Sequence, residues 1–215
     1  MDKLMEFLPF MLQGAVVTIE LFALTIVISL PLGLPIALGS NSRIKPLSII
    51  CKIYVWIFRG TPLLLQLFFF YFFFPLVLNI QMNAFVTVVL TYVLNYAAYF
   101  AEIYRGGIAS VPKGQYEAGQ VLGMTKTQVF FRVILKQVIK RIVPPMSNEV
   151  ITLVKDTSLA RVVAVVELVR AADDIVAGYA IIWPLFYVGA FYLLFSGVLT
   201  VLFGKLEKKL DYYKG

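Results

Sequence analysis

The sequence predicts an all-α integral membrane protein with about five transmembrane helices. Three observations carry that reading. First, 60% of the residues are hydrophobic and only 14% are charged, with a mean hydropathy of +0.87. A soluble domain is about half apolar and about a quarter charged. Second, the apolar runs are continuous and do not alternate, so helices rather than barrel strands are expected to cross the bilayer. Third, the basic residues gather in a few segments between apolar ones. In a membrane protein that pattern marks cytoplasmic loops, so the net charge of +7 does not point to nucleic acid.

Residues 1–6 are short and mixed in charge. They lack a basic region and a small-residue cleavage site, so no removable signal peptide is read there. Residues 7–42 carry one charge, Glu20, and exceed the roughly 20 residues that a crossing needs. Pro31 and Pro35, with Gly33 between them, are expected to kink or end this helix. Asn41-Ser42-Arg43 reads as a turn. Residues 49–58 either lie along the interface or begin the second span, and Arg59 snorkels to the headgroups.

Residues 60–101 carry no charge and are too many for one span. Pro75 and the polar group Asn79, Gln81 and Asn83 divide them into two helices. One ends near Pro75 and the next starts near Ala84. The aromatic run 68–74, FFFYFFF, packs on lipid or on another helix, with an aromatic ligand cage as the alternative. Residues 138–154 form a weaker span carrying Glu149. A mixed segment, 155–174, precedes a last charge-free stretch, 175–204, with Trp183, Pro184 and Tyr187 at its outer end. Lys205, Lys208, Lys209 and Lys214 form a basic tail. The chain reads as a single transmembrane domain, 1–215, with no internal repeat.

The chemistry available is narrow. No His and a single Cys, Cys51, leave no internal disulfide and no zinc or haem site. The Gly204-Lys205 pair is followed by Leu206, so there is no P-loop, and the chain does not bind ATP by that route. No nucleophile–base pair suggests an enzyme. Basic residues sort best with the N-terminus outside and the C-terminus in the cytoplasm. Arg43, Lys45 and Lys52 then lie inside, with the tail and with the loop at about 106–141. The first outer loop, 75–83, has no basic residue.

Three spans carry polar stripes. Gln13, Val17 and Glu20 share one face of the first. Tyr92, Asn95, Tyr99 and Glu102 share one face of the third, and Glu102 also sits three residues from Arg105. Glu149, Thr152 and Asp156 share one face of the fourth. A carboxylate near the bilayer centre costs about 2.5–3.5 kcal/mol on insertion scales, so it faces a cavity or a partner. A cavity lined this way is acidic and prefers a cationic solute. The candidate binding residues are Glu20, Tyr92, Asn95, Thr152 and Asp156. The alternatives are helix–helix hydrogen bonds, a structural ion pair or a protonated carboxyl for Glu20, and a surface Lys155–Asp156 pair.

The stretch 117–144, EAGQVLGMTKTQVFFRVILKQVIKRIVP, is the longest that is both basic and polar. Glu117 and Ala118 favour a helix, and Gly119 and Gly123 at i, i+4 give it a bare face on which another backbone can dock. An ordinary solvated loop is the alternative. Glu117-Ala118-Gly119, Gly123 and Val133-Ile134-Leu135 resemble the EAA loop of ABC importer permeases, with Gly119 in place of the second Ala and Lys136 in place of the Pro. Arg59-Gly60-Thr61-Pro62, the segments 101–108 and 111–115, and Lys155-Asp156-Thr157-Ser158-Leu159 are similar to the polar amino-acid branch of that family. The match covers about residues 14–206.

The resemblance implies a MetI-like transmembrane domain that imports an amino acid by alternating access across a bacterial cytoplasmic membrane. It implies two ABC ATPase subunits, which bind ATP and Mg while this chain holds no cofactor. It also implies a second permease subunit, in a homodimer or alternatively a heterodimer, and an extracytoplasmic amino-acid-binding protein. Glu117, Ala118, Gly119 and Gly123 then form the ATPase-coupling helix. The acidic stripes favour a basic amino acid, arginine, lysine or histidine. The alternatives are a neutral one such as glutamine, or a proton-coupled secondary transporter working through Glu20 or Asp156.

Overall fold

The computed structural model describes residues 2–211, and the side chains of 6–211. Lys214 of the basic tail lies outside the described residues. α1, Asp2–Ser40, is one continuous helix, so it does not end at Pro31 or Pro35. The reason lies at Gly33, which faces α4, Ala84–Ala109. A Cβ there would meet the Phe100 Cβ at 3.0 Å and the Ala97 carbonyl oxygen at 3.1 Å. Such close packing supports the helix across its prolines, whose freed carbonyls neighbouring groups can satisfy inside a membrane.

The turn after α1 forms as read, with the Asn41 and Ser42 N–H groups donating to Leu38 and Gly39 at 3.2 and 3.0 Å. α2, Lys45–Gly60, and α3, Leu63–Val77, then meet at a bend of 109°. α3 runs through Pro75 to Val77, slightly past its expected end. Its aromatic rings stack on one another one turn apart, Phe69 on Phe73 at 5.0 Å and Phe70 on Phe74 at 5.8 Å. Phe69 and Phe72 face outward, while Phe68 and Tyr71 pack on the core. α4 starts at Ala84 as expected because the Asn83 carboxamide accepts from the Phe85 N–H at 2.8 Å.

The second half holds α5, Lys113–Val121, α6, Lys126–Val129, a π-helical turn, Phe130–Ile134, and α7, Leu135–Asp156. After a 3-10 turn, Thr157–Val163, come α8, Leu168–Tyr179, and α9, Trp183–Leu210. The charge-free stretch 175–204 is therefore not one span. Ala180, left-handed at φ 53°, ends α8, and the long helix begins only at Trp183. Ile175 stays in α8, which packs with Phe7 and Met11 of α1.

α4 is the central post. Its Tyr92, Tyr96 and Phe100 pack with Leu21 of α1, Leu67 of α3 and Leu153 of α7. Small residues let the backbones approach: a Cβ on Gly107 would lie 2.2 Å from the Ile142 Cγ2. Contacts also sort the two ends. The Ser48 hydroxyl donates to the Ser40 carbonyl at 2.7 Å, Arg141 donates to the Ser110 carbonyl, and Lys140 pairs with Asp211 at 3.1 Å. The three basic regions thus gather at one end. Phe7 meets Tyr179 and Trp183 at the other.

Among the described residues α1, α4 and α9 are each long and apolar enough to cross a bilayer, and the bent α2–α3 pair makes a fourth candidate. α7 has 22 residues, about 33 Å, which matches a hydrocarbon core, but its charges keep it below that apolar standard.

Candidate functional site

A polar face forms where α2, α4 and α7 meet. Asp156 closes α7 and is half-buried. The Tyr96 hydroxyl donates to its carboxylate at 2.7 Å, and the Tyr92 hydroxyl donates to its backbone carbonyl at 2.6 Å. Two tyrosines one turn apart on α4 therefore clamp the end of α7. Glu149 precedes Asp156 by two turns, about 10 Å along the axis. It is half-buried, with no hydrogen-bond or ion-pair partner among the described residues. Thr152 lies between the two on the same stripe.

Arg59 supplies the opposite charge. Its guanidinium carbon stands 5.4 Å from the Tyr99 ring centre, and its Nη1 lies 3.7 Å from the Glu102 carboxylate. It is thus turned toward α4 as well as toward solvent. Glu102 is already held by Arg105 through two hydrogen bonds, at 2.8 and 2.5 Å. The face thus holds two half-buried carboxylates, Glu149 and Asp156, and an arginine with donors to spare. Chemically the face can take a cationic and an anionic group together.

Sequence reading placed Tyr92, Thr152 and Asp156 in this region, and the structure brings them together. Asn95 has another task. Its amide nitrogen donates to the Gln66 Oε1 at 2.9 Å and to the Phe58 carbonyl at 3.2 Å. Gln66 donates in turn to the Phe58 and Thr61 carbonyls at 2.9 and 3.1 Å. This network ties the α2–α3 bend to α4. Glu20 stands apart as well. Leu21 is buried in the core, while Glu20 and Gln13 are exposed. Glu20 has no described partner.

Three residues escaped the sequence reading. Tyr96 sits one turn beyond Tyr92, a spacing that could have revealed it. Arg59 looked like a border residue. Glu167 is fully buried and caps α8, accepting from the Val169 and Arg170 N–H groups at 2.8 Å each, while the Tyr192 hydroxyl donates to it at 3.3 Å. The positive end of the helix offsets its charge.

At the basic end, α5 and α6 fold into a compact hairpin. Gly119 and Gly123 do not share a helix face, as the spacing suggested. α5 ends at Val121, and Gly123 adopts φ 71° beyond it. The Gly123 N–H donates to the Gln120 carbonyl at 2.9 Å and the Met124 N–H to the Gly119 carbonyl at 3.0 Å, a Schellman-type stop. Gly119 is not bare either. A Cβ there would lie 2.5 Å from a Val129 methyl, so α5 already rests on the residue that closes α6. Thr125 and Gln128 form a capping box at the start of α6. Glu117, Ala118, Val121 and Leu122 face outward, the last two 87% and 78% exposed. Gly123→Val forces a branched side chain into the left-handed region and is expected to cost the hairpin about 1–2 kcal/mol. Faster limited proteolysis within residues 119–126 would register it; an unchanged rate would refute the glycine stop.

Fold and site together define a multi-pass helical membrane protein with a polar face among its helices and a cap-stabilised hairpin at its basic end. Residues 29–212 match the family described as "Binding-protein-dependent transport system inner membrane component", and the chain belongs to that family of importer permeases. It is 40% identical over 97% of its length to the L-cystine transport system permease of Bacillus subtilis, covering 89% of that protein. It is 35% identical to the arginine transport system permease of the same organism, over 94% of this chain and 93% of the other. The glutamine transport system permease of Escherichia coli is 33% identical, with 94% of each covered. A crystal structure of an amino acid ABC transporter with histidines superimposes with a TM-score of 0.88 at 33% identity, over 96% of this chain and 97% of that one. The inward-facing MetNI methionine ABC transporter, at 17% identity and a TM-score of 0.71, shares the fold. The family expected from the sequence is thus the one found, and it is a transporter family, not an enzyme family.

Proposed function

We propose that this chain is the membrane subunit of an ATP-driven importer for amino acids, and that its solute is basic. The carrying observation is the face that brings the half-buried Glu149 and Asp156 together with Arg59. The two carboxylates receive the α-ammonium and the side-chain cation, and Arg59 receives the α-carboxylate in a fork-to-fork pair. The relative serving arginine supports this assignment. The relative serving cystine favours a second reading, in which the same carboxylates take two ammonium groups; the glutamine relatives keep a neutral solute open. A binding titration of the purified permease with arginine, lysine, histidine, glutamine and cystine separates these. Equal or tighter binding of glutamine would overturn the basic assignment.

In this reading the chain pairs with a second permease subunit in a bacterial cytoplasmic membrane, N-terminus outside. Two ATPase subunits bind ATP and Mg and grip the α5–α6 hairpin, and an extracytoplasmic protein delivers the amino acid. Nucleotide-driven closure rocks the spans between outward and inward states, and the solute biases that equilibrium only through its unequal affinity for the two. Glu20, exposed on α1 in this chain, meets lipid or the second permease in this reading. Glu20→Gln is expected to leave arginine affinity within about twofold of wild type. A loss of tenfold or more in that titration would return Glu20 to the binding site.

A further inference from the structure

At the basic end, α1, α2 and α4 border an open cavity of about 520 Å³ lined in part by Ser40, Lys52, Trp56, Arg59, Glu102 and Arg105. Its charges do not balance. Arg105 occupies Glu102 through two hydrogen bonds, Arg59 keeps only a 3.7 Å approach to the same carboxylate, and Lys52 has no partner among the described residues. Lys52 and Arg59 therefore offer their positive charge to the cavity. They belong to a longer stripe on α2: Lys45, Lys52 and Arg59 recur every seven residues on one face. Beside that stripe lies an apolar band, with Trp56 75% exposed, Ile49 55% and Ile53 49%.

Cationic side chains bordered by aliphatic groups and an indole suit the boundary between headgroups and acyl chains. Basic pockets between spans at the cytoplasmic side take anionic lipid headgroups. We propose that this cavity binds the phosphate of an anionic phospholipid from the leaflet at the basic end. Lys52 holds the phosphate, Arg59 adds positive charge from the wall that the cavity shares with the solute cleft, and Trp56 lies against the glycerol and the first methylenes. Arg59 borders the solute cleft as well, so the lipid sits directly behind one wall of it. The site goes beyond the transport reading and stands whichever amino acid is carried.

The chain has two tryptophans, Trp56 and Trp183, so a Trp183→Phe chain reports Trp56 fluorescence alone. It is reconstituted in phosphatidylcholine vesicles to which brominated phosphatidylglycerol or brominated phosphatidylcholine is added. The anionic lipid is expected to quench Trp56 at a lower fraction than the neutral one. Lys52→Gln is expected to weaken that preference about fivefold, the usual effect of one basic residue at a charged lipid surface. Lys45→Gln, outside the cavity, leaves it in place. Equal quenching by the two lipids, or a preference untouched by Lys52→Gln, overturns the proposal. Relief of quenching by millimolar inorganic phosphate overturns it too, by assigning the site to a free anion. Should Trp183→Phe fail to reconstitute, native mass spectrometry of the wild-type and Lys52→Gln chains decides: fewer retained phosphatidylglycerol molecules on the variant support the site, equal numbers refute it.

Discussion

Asp156→Asn is expected to weaken arginine binding about ten- to a hundredfold while leaving the protein as stable as wild type. A hydrogen bond to a charged group contributes about 1.5–3 kcal/mol, and that is what the missing charge removes. Stability survives because asparagine keeps an oxygen to accept from the Tyr96 hydroxyl, and because Tyr92 donates to the backbone carbonyl, which the substitution does not touch. Arginine uptake by proteoliposomes containing the assembled importer, read together with the thermal midpoint, checks both halves. Wild-type affinity would remove Asp156 from the site. A fall in the midpoint that matches the loss of uptake would make it a strut between α4 and α7.

Leu122→Asp is expected to abolish solute-stimulated ATP hydrolysis by the assembled importer. Leu122 and Val121 stand 78% and 87% exposed at the tip of the hairpin, so the free permease loses little by the change. Docked in a cleft, a leucine contributes about 1.5–3 kcal/mol, and an aspartate adds the cost of desolvating a charge. Co-purification of the ATPase with the variant, and its hydrolysis rate with and without solute, measure the effect. Normal coupling would show that the motor grips some other surface. Gly119 makes a poorer test, because any side chain there collides with Val129 inside the hairpin itself.

The helical class and most element positions were legible because bilayer physics writes them in plain composition. Long uncharged runs gave α1 and the α3–α4 division, and Asn83 marked the start of α4 as an N-cap should. What escaped depended on distant contacts. Pro31 and Pro35 argue for a break by local rules, and only the apposition of Gly33 to α4 overrides them. The spacing of Gly119 and Gly123 fits a helix face until φ at Gly123 is known. The stop at Ala180 carries no glycine or proline of its own, so the stretch 175–204 read as unbroken.

The candidate site divides in the same way. Periodicity put Tyr92, Thr152 and Asp156 on facing stripes, but it could not say which polar residues were already spoken for. Asn95 is consumed by Gln66 and Phe58, and Glu20 is exposed on α1 with no partner among the described residues. Both facts belong to packing rather than to pattern.

The corner between α2 and α3 has a mechanical consequence. Gln66 of the outer arm bonds to Phe58 and Thr61 across the interruption, and Asn95 of α4 bonds to both Phe58 and Gln66. The corner is therefore a braced bracket: swinging either arm would break these bonds together. Arg59, next to Phe58, is held in place by the same bracing.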